Sequence, residues 1–359
     1  MIAMLDKKVR GVALITVMLI VALAAILATQ MNSRLLLQMQ RTTNIGLNQQ
    51  AYWYAMGAEA FAKRVLLDVF KNEPDTTNLS QPWAQGETSF PVDNGTITGE
   101  IIDLQACLNL NALRAKAPSN KTNTGKQSNN NNKQFNNRSN NNQANSGTSS
   151  GKKTAPAKEA LIELITSLDV EGVSQFEAEY MADALTDWLD ENDAIASAGG
   201  AEDNDYAAKE FPYLPANNFL ASVNELRVIE HFTVPVIQAL REYVCVIPNS
   251  DLYQLNVNTI SVEHALLLHA VLNIPLEDAE QVLSARNEKG FKSVEDFFKT
   301  PELAKIKISE DKKQQIVVDS EYFKLKASAS FNESYFALNS ILQIIDNQKI
   351  EVISRSIGK

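Results

Sequence analysis

Eight carboxylates crowd one short stretch of the chain: Asp183, Asp187, Asp190, Glu191 and Asp193, then Glu202, Asp203 and Asp205. On a helix, Asp183, Asp187 and Asp190 share a face at spacings of four and three. Like charges so placed repel by about 0.2–0.5 kcal/mol per exposed pair. The Ala198-Gly199-Gly200 turn can fold the second acidic group back over the first. Carboxylates and carbonyls converging in this way make a hard oxygen cage, the ligand set of Ca²⁺, whereas Mg²⁺ takes fewer protein ligands and more water. The loop is not an EF-hand, because counting from Asp190 neither the glycine at position six nor the glutamate at position twelve is present. Spacing alone leaves two readings open, a cation cage and a solvated acidic face.

Other chemistry-bearing residues are sparse. His231, His264 and His269 are the only histidines; none lies in an HExxH pattern, and His264 and His269 stand too far round a helix to share a metal. They read as packed or surface histidines. The string Gly147 to Gly151, "GTSSG", matches a nucleophile elbow in letters but has neither the strand before it nor the helix after it. No catalytic constellation emerges, and an envelope enzyme is the least supported function class. Cys107 and Cys245 are the only cysteines and cannot hold a metal alone. Export would make a disulfide between them plausible; two buried thiols is the other reading. The formal charge of −10 argues against a duplex-binding protein, whose affinity comes largely from cations on phosphates.

The elements that carry these residues begin with an apolar run. No residue from Val12 to Ser33 is charged, and about twenty apolar residues span a bilayer core. Lys7, Lys8 and Arg10 precede the run and belong on the cytoplasmic side, leaving the rest of the chain outside. Leu47, Ala51, Tyr54, Ala58, Phe61, Val65 and Leu66 continue at helical spacing until Pro74. Trp83, Trp188 and the Tyr52 to Tyr54 aromatics read as core or helix-packing groups. Alternation around "DNG" at 93–95 predicts a β-hairpin. The Asn-rich stretch from Pro118 to Gly151 holds one large apolar residue, Phe135, and predicts disorder. Segments from Ala157 to Lys313 show helical spacing, several after caps at Ser174, Ser222 and Ser261. "EYFKLKASASF" and the segments after it return to strands. The class is α+β, with a helical block inserted between sheet segments.

The leader "KKVRG" directly before "VALITVMLIVAL" resembles that of type IV pilin-like proteins, in which a prepilin peptidase cuts after the glycine and the new N-terminus is methylated. The resemblance places the cut between Gly11 and Val12. Most such proteins carry Glu at mature position five; Thr16 stands there here. That exception is similar to the minor pseudopilin K family of the type II secretion system (general secretion pathway protein K), as are "QPWA" (81–84), "LNLNAL" (108–113), "DWLDENDAIASAGGAEDNDY" (187–206), "NELR" (224–227) and "NVNT" (256–259).

The resemblance implies a pseudopilin fold: a leader (1–11), a transmembrane helix segment (12–33), a core (34–111), the Asn-rich loop (112–156), an inserted helical domain (157–313) and final core strands (314–359). It implies Ca²⁺ in the helical domain, with Asp190, Asp193, Glu202 and Asp203 as first-choice ligands and Asp187 and Asp205 behind them. It implies a non-catalytic filament-tip subunit anchored in the bacterial inner membrane with its main domain in the periplasm. The implied partners are the I and J pseudopilins, prepilin peptidase and the inner-membrane platform. An unpaired charge in the bilayer centre costs about 2.5–3.5 kcal/mol, so a subunit with nothing above it gains from Thr16. The alternative is a membrane-anchored helix-hairpin-helix DNA receptor, suggested by "NVNT…SARNEKGFKSVED". Its hairpin, "LNIPLED", has Pro275 and two acids where a phosphate-binding turn needs glycine, so protein packing is the better reading and no nucleic-acid partner is expected.

Overall fold

The computed structural model describes residues 9–93, 95–114, 155–331 and 334–358. Helix α1 (Val9–Asn72) is one continuous rod. Its first part is a candidate membrane span with mean hydropathy 2.8 and no buried residue in the apolar window. Thr16 Oγ1 donates to its own helix, 2.9 Å from the Ala13 carbonyl and 3.2 Å from that of Val12. The expected cleavage at Gly11 falls on residues that simply continue the helix, and most of the leader lies outside the described residues.

Strands β1 (Thr88–Val92) and β2 (Gly95–Asp103) form the expected hairpin. They join strands that follow much later in the chain to make one antiparallel sheet, ordered with β2 at its junction to the C-terminal meander Tyr322–Phe331, Ser334–Ile345 and Lys349–Ile357. The C-terminal half of α1 lies across this sheet. Its buried face follows the sequence expectation at Ala51 and Leu66, with Tyr54, Ala58 and Val65 half-buried beside them, and adds Ala55, Ala62, Val69 and Phe70; it departs at Phe61, which is exposed, as is Trp53. Small residues a turn apart let the rod approach the strands closely, and that seam of alanines outweighs the larger side chains. Glu59 lies buried in the same seam. It accepts from Arg355 Nε and Nη2, both at 2.8 Å, and from Ser340 Oγ at 2.6 Å. Burial disfavours its charge, but these donors prevail and hold the carboxyl below its usual range.

Between Asp103 and Tyr322 the chain leaves the sheet to build the inserted domain. Predominantly helical, it also contains four two-residue strands that the sequence reading missed. Strand β3 (Leu108–Asn109) leads through a 3₁₀ turn (Leu110–Arg114) to the gap; then follow α2 (Pro156–Ser167), α3 (Gln175–Leu189), α4 (Asp203–Ala207), a 3₁₀ turn (Val223–Val228), α5 (Val234–Leu240) and β4 (Val244–Cys245). A second run follows: β5 (Leu255–Asn256), a 3₁₀ turn (Val262–His264), α6 (Ala265–Leu272), α7 (Leu276–Ser284), α8 (Val294–Phe298), α9 (Pro301–Ala304), α10 (Glu310–Lys313) and β6 (Ile316–Val317). The meander strands are β7, β8 and β9 in chain order. Residues 314–321 therefore belong to the inserted domain, and the sheet resumes only at Tyr322.

The two runs are the same lobe built twice. In each, the first strand pairs in parallel with the last: β3 with β4, and β5 with β6. "LNLN" and "LNVN" do the same work. The side chain of Asn111 binds both backbone groups of Leu220 and the Ile247 carbonyl; Asn258 binds both backbone groups of Phe291 and the Val318 carbonyl. Two residues after Leu220 and Phe291 come the capping serines Ser222 and Ser293. The first helix of each pair, α2 or α6, is followed by a left-handed residue, Asp169 (φ 48°) or Asn273 (φ 54°). α2 packs against α6, and one hydrophobic core runs through both lobes.

Candidate functional site

The acidic stretch lies where the first lobe departs most from the second. From α7 the second lobe reaches Phe291 through six residues, 285–290; from α3 the first reaches Leu220 through 190–219. Ser174 starts α3 with a capping box in which Glu177 returns to the Ser174 N–H. The helix ends at Leu189, so Asp183 and Asp187 ride on it one turn apart, and Asp190 is its C-cap. The loop then folds back, as the Gly-Gly turn suggested. Gly199 lies so close to α3 that a Cβ there would meet Tyr180 Cα at 2.4 Å, and a Cβ on Gly200 would fall 2.0 Å from Asp187 Oδ2.

That return brings Glu202 over Asp187. Both side chains are buried, at 3% and 0% exposure, and none of their four carboxylate oxygens closes a hydrogen bond of normal geometry, although the Asp205 N–H faces Glu202 at the start of α4. The Ala196 N–H faces Asp187 without closing a bond of normal geometry. Burial, reinforced by Asp190 and Asp183, pushes the Asp187 carboxyl up to about 6. Burial, then the charges of Asp187, Asp190, Asp193 and Asp203, pushes Glu202 up to about 7. The charges of four of the acids named from the sequence therefore act on Glu202. Asp190 Oδ1 accepts from the Asn192 N–H, and Asp193 Oδ1 from Asn217 Nδ2. Asp205 is engaged elsewhere, with Oδ2 accepting from the Glu202 N–H at the start of α4. Among the described residues no three acidic, histidine or cysteine side chains already stand at mutual metal-ligand spacing. Trp188 Nε1 is also buried beside the loop without a partner.

The second lobe carries a different polar centre at its junction with the sheet. Asp103, the last residue of β2, is fully buried; its Oδ2 accepts from Thr259 Oγ1 and Ser320 Oγ at 2.6 Å each and from Asn256 Nδ2 at 3.4 Å. Oδ1 accepts from the Gln105 N–H. Burial outweighs these donors and pushes its carboxyl up to about 6. The sequence signal was "NVNT", but nothing in it disclosed that Asp103 was the partner. The remaining letters of the DNA-receptor-like string are consumed inside the lobe. Arg286 Nη1 donates to the carbonyls of Val257 and Ile260, at 2.6 and 2.8 Å. Gly290 (φ 75°) makes room for the Asn258 side chain, which a Cβ there would meet at 2.4 Å.

Cys107 and Cys245, at the mouth of the first lobe, are joined in a disulfide. His269 sits between lobes, with Nδ1 on the Ile274 carbonyl and Nε2 3.2 Å from both Ser167 and Glu163. His264 meets Tyr243 edge-on, and His231 lies tilted against Tyr180. Trp83 is buried, while Trp53 lies exposed on α1. The Asn-rich stretch, including "GTSSG", lies outside the described residues.

Comparison with known proteins agrees with this architecture. Two profiles of the family described as "Type II secretion system (T2SS), protein K" match residues 106–249 and 255–319, one to each lobe. A type II secretion system protein K from Aeromonas hydrophila is 37% identical over 288 residues, covering 80% of this chain and 78% of that protein. One from Dickeya chrysanthemi is 34% identical over 362 residues, covering 99% and 98%. Among solved structures, a chain of the GspK-GspI-GspJ complex from the enterotoxigenic Escherichia coli type 2 secretion system superposes with a TM-score of 0.71 at 30% identity. It covers 89% of this chain and 99% of its own.

Proposed function

The chain belongs to the type II secretion system protein K family of pseudopilins, and from that premise we propose that it ends the pseudopilus at its tip and supports export of folded proteins across the outer membrane. Thr16 carries this reading. A subunit inside a filament of such helices needs a carboxylate at this depth to meet the N-terminal ammonium of the chain above. Here the hydroxyl is satisfied within its own helix, so nothing is left unpaired in lipid when no chain lies above. The two-lobed domain adds bulk that a shaft would have to exclude. After cleavage at Gly11 by prepilin peptidase, with methylation of Val12, the helix would hold the chain in the inner membrane with its head in the periplasm.

The I and J pseudopilins named with the E. coli relative are the proposed partners, and α1 offers them an apolar surface through Leu35, Leu36, Met39 and Ile45. The role is structural and non-catalytic. Gold labelling of the protein in assembled pseudopili tests it: label confined to one filament end is expected, and label along the shaft would overturn the assignment.

We also propose that the first lobe binds Ca²⁺. The buried oxygens of Asp187 and Glu202 fit a hard divalent cation, because carboxyls so buried must be protonated, paired or metal-bound. Asp187 and Glu202 would hold the ion, and Asp190, Asp193 and Asp203, whose charges act on Glu202, are the acids that would have to move in to complete the oxygen set. When bound, the ion neutralises these carboxylates and ties the loop to α3. Calorimetric titration with Ca²⁺ should show binding that Asp187→Asn and Glu202→Gln each weaken; no heat and no melting change in chelator would refute it.

A further inference from the structure

Asp183 is one helical turn from Asp187 on the same face of α3 and, by spacing, looks like another ligand. Its oxygens are already spoken for. Oδ1 takes an ion pair from Lys158 Nζ of α2 at 2.5 Å, and Oδ2 accepts the Gly199 N–H at 3.1 Å. Both side chains are nearly buried, at 14% exposure for Lys158 and 13% for Asp183. Gly199 is the point where the acidic loop touches down on α3, next to the residue that crosses Asp187 and three before Glu202. Among the described residues, no other side chain is hydrogen-bonded to the two glycines that bring the loop home.

We propose that Lys158 and Asp183 form a positioning relay for the cation site: Lys158 fixes the Asp183 carboxylate, which clamps Gly199 and so sets Glu202 over Asp187, without either residue ligating the ion. This rests on the calcium reading above. The relay has a cost that marks it as structural in purpose, since the Lys158 charge lies near enough to Asp187 to oppose a cation there. Outer-layer residues that orient metal ligands are worth about 10–100-fold in metal affinity.

The test uses the detergent-solubilised full chain and Tb³⁺ as a Ca²⁺ substitute, read by emission sensitised by the adjacent Trp188. Emission lifetimes in H₂O and D₂O count the waters left on the ion. Asp183→Ala should raise the Tb³⁺ Kd by about 10-fold or more while leaving stoichiometry and water count unchanged. The pair Lys158→Met with Asp183→Asn keeps an acceptor for Gly199 and removes both charges. It should return the Kd to within about threefold of the parent, a small fraction of that relay effect. Asp187→Asn, by contrast, should admit extra water to the ion. An increase in water count with Asp183→Ala would make Asp183 a ligand and overturn the relay. Parent-like affinity in Asp183→Ala, or failure of the double variant to recover, would overturn it too. If the parent chain binds neither Tb³⁺ nor Ca²⁺, the calcium reading itself falls, which is a different result.

Discussion

The two lobes of the inserted domain have the same clasp, the same asparagine grips and the same helix pair, yet they secure their open ends by different chemistry. The second lobe is locked to the sheet by a neutralisable polar cluster, Asp103 with Asn256, Thr259 and Ser320. The first is closed by the Cys107–Cys245 disulfide and sets Asp187 of α3 unpaired against Glu202 of a loop the second does not have. Both lobes meet the sheet, the second through the Asp103 cluster and the first through Cys245 and Ile247, which pack with Tyr322, Ile341 and Ile353. The lobe with an enlarged loop needs a covalent staple and, by our reading, an ion. What the comparison teaches is that the duplicated scaffold supplies shape, and the departures from it supply function.

The comparison can be broken most forcefully at the staple. Cys245→Ala should destabilise the first lobe by about 3–5 kcal/mol, as for a disulfide closing a long loop. Amide hydrogen exchange resolved by lobe checks it, and equal loss of protection in both lobes would show that they do not differ in this way. Next, Asn256→Leu removes three bonds at the junction and should cost about 3 kcal/mol, more than one lost hydrogen bond because buried Asp103 is left under-satisfied. Asn109→Leu, its counterpart in the first lobe, has no carboxylate to strand and should cost less in the same urea titration. Calcium at about a hundredfold over its Kd should stabilise the chain by about 2.7 kcal/mol, with the added protection confined to α3 and residues 190–219.

The smallest effect is a pH dependence with opposite sensitivity to calcium in the two lobes. Asp187 at about 6, Glu202 at about 7 and Asp103 at about 6 all titrate above their ordinary values of 3.8, 4.5 and 3.8. A raised carboxyl contributes stability that is complete below its unfolded value and is lost as pH rises through the folded one. In chelator the melting temperature should therefore climb as pH falls from 7.5 to 5.5. Calcium should abolish the share due to Asp187 and Glu202, since the ion takes the place of the proton, and leave the share due to Asp103.

The sequence disclosed the large elements because their periods are long and uninterrupted: the apolar run, the β7 to β9 meander, and the helices capped at Ser174 and Ser222. The duplication stayed hidden because the first lobe carries the Asn-rich stretch and the loop 190–219 where the second has short turns, which destroys any fixed repeat spacing. Within the acidic stretch, letters and spacing identified the region but misranked its members. Asp187 stood in second place, and only burial shows that it and Glu202 are the orphaned pair. Glu59 was invisible for the opposite reason. A lone acid on an amphipathic helix reads as a solvated residue until Arg355 and Ser340, nearly 300 positions on in the chain, are seen to meet it.

That meeting has a mechanical consequence. Glu59 and the alanines of α1 grip a sheet whose edge strand carries Arg355 (Lys349–Ile357). Tension applied to the membrane anchor therefore passes into the middle of the sheet, through the seam of α1 on β7 and β8, and into the edge strand through the Arg355 guanidinium on Glu59. Removing that strand would not merely trim a tail; it would leave the buried Glu59 carboxylate with Ser340 as its remaining partner, in the seam that carries the load.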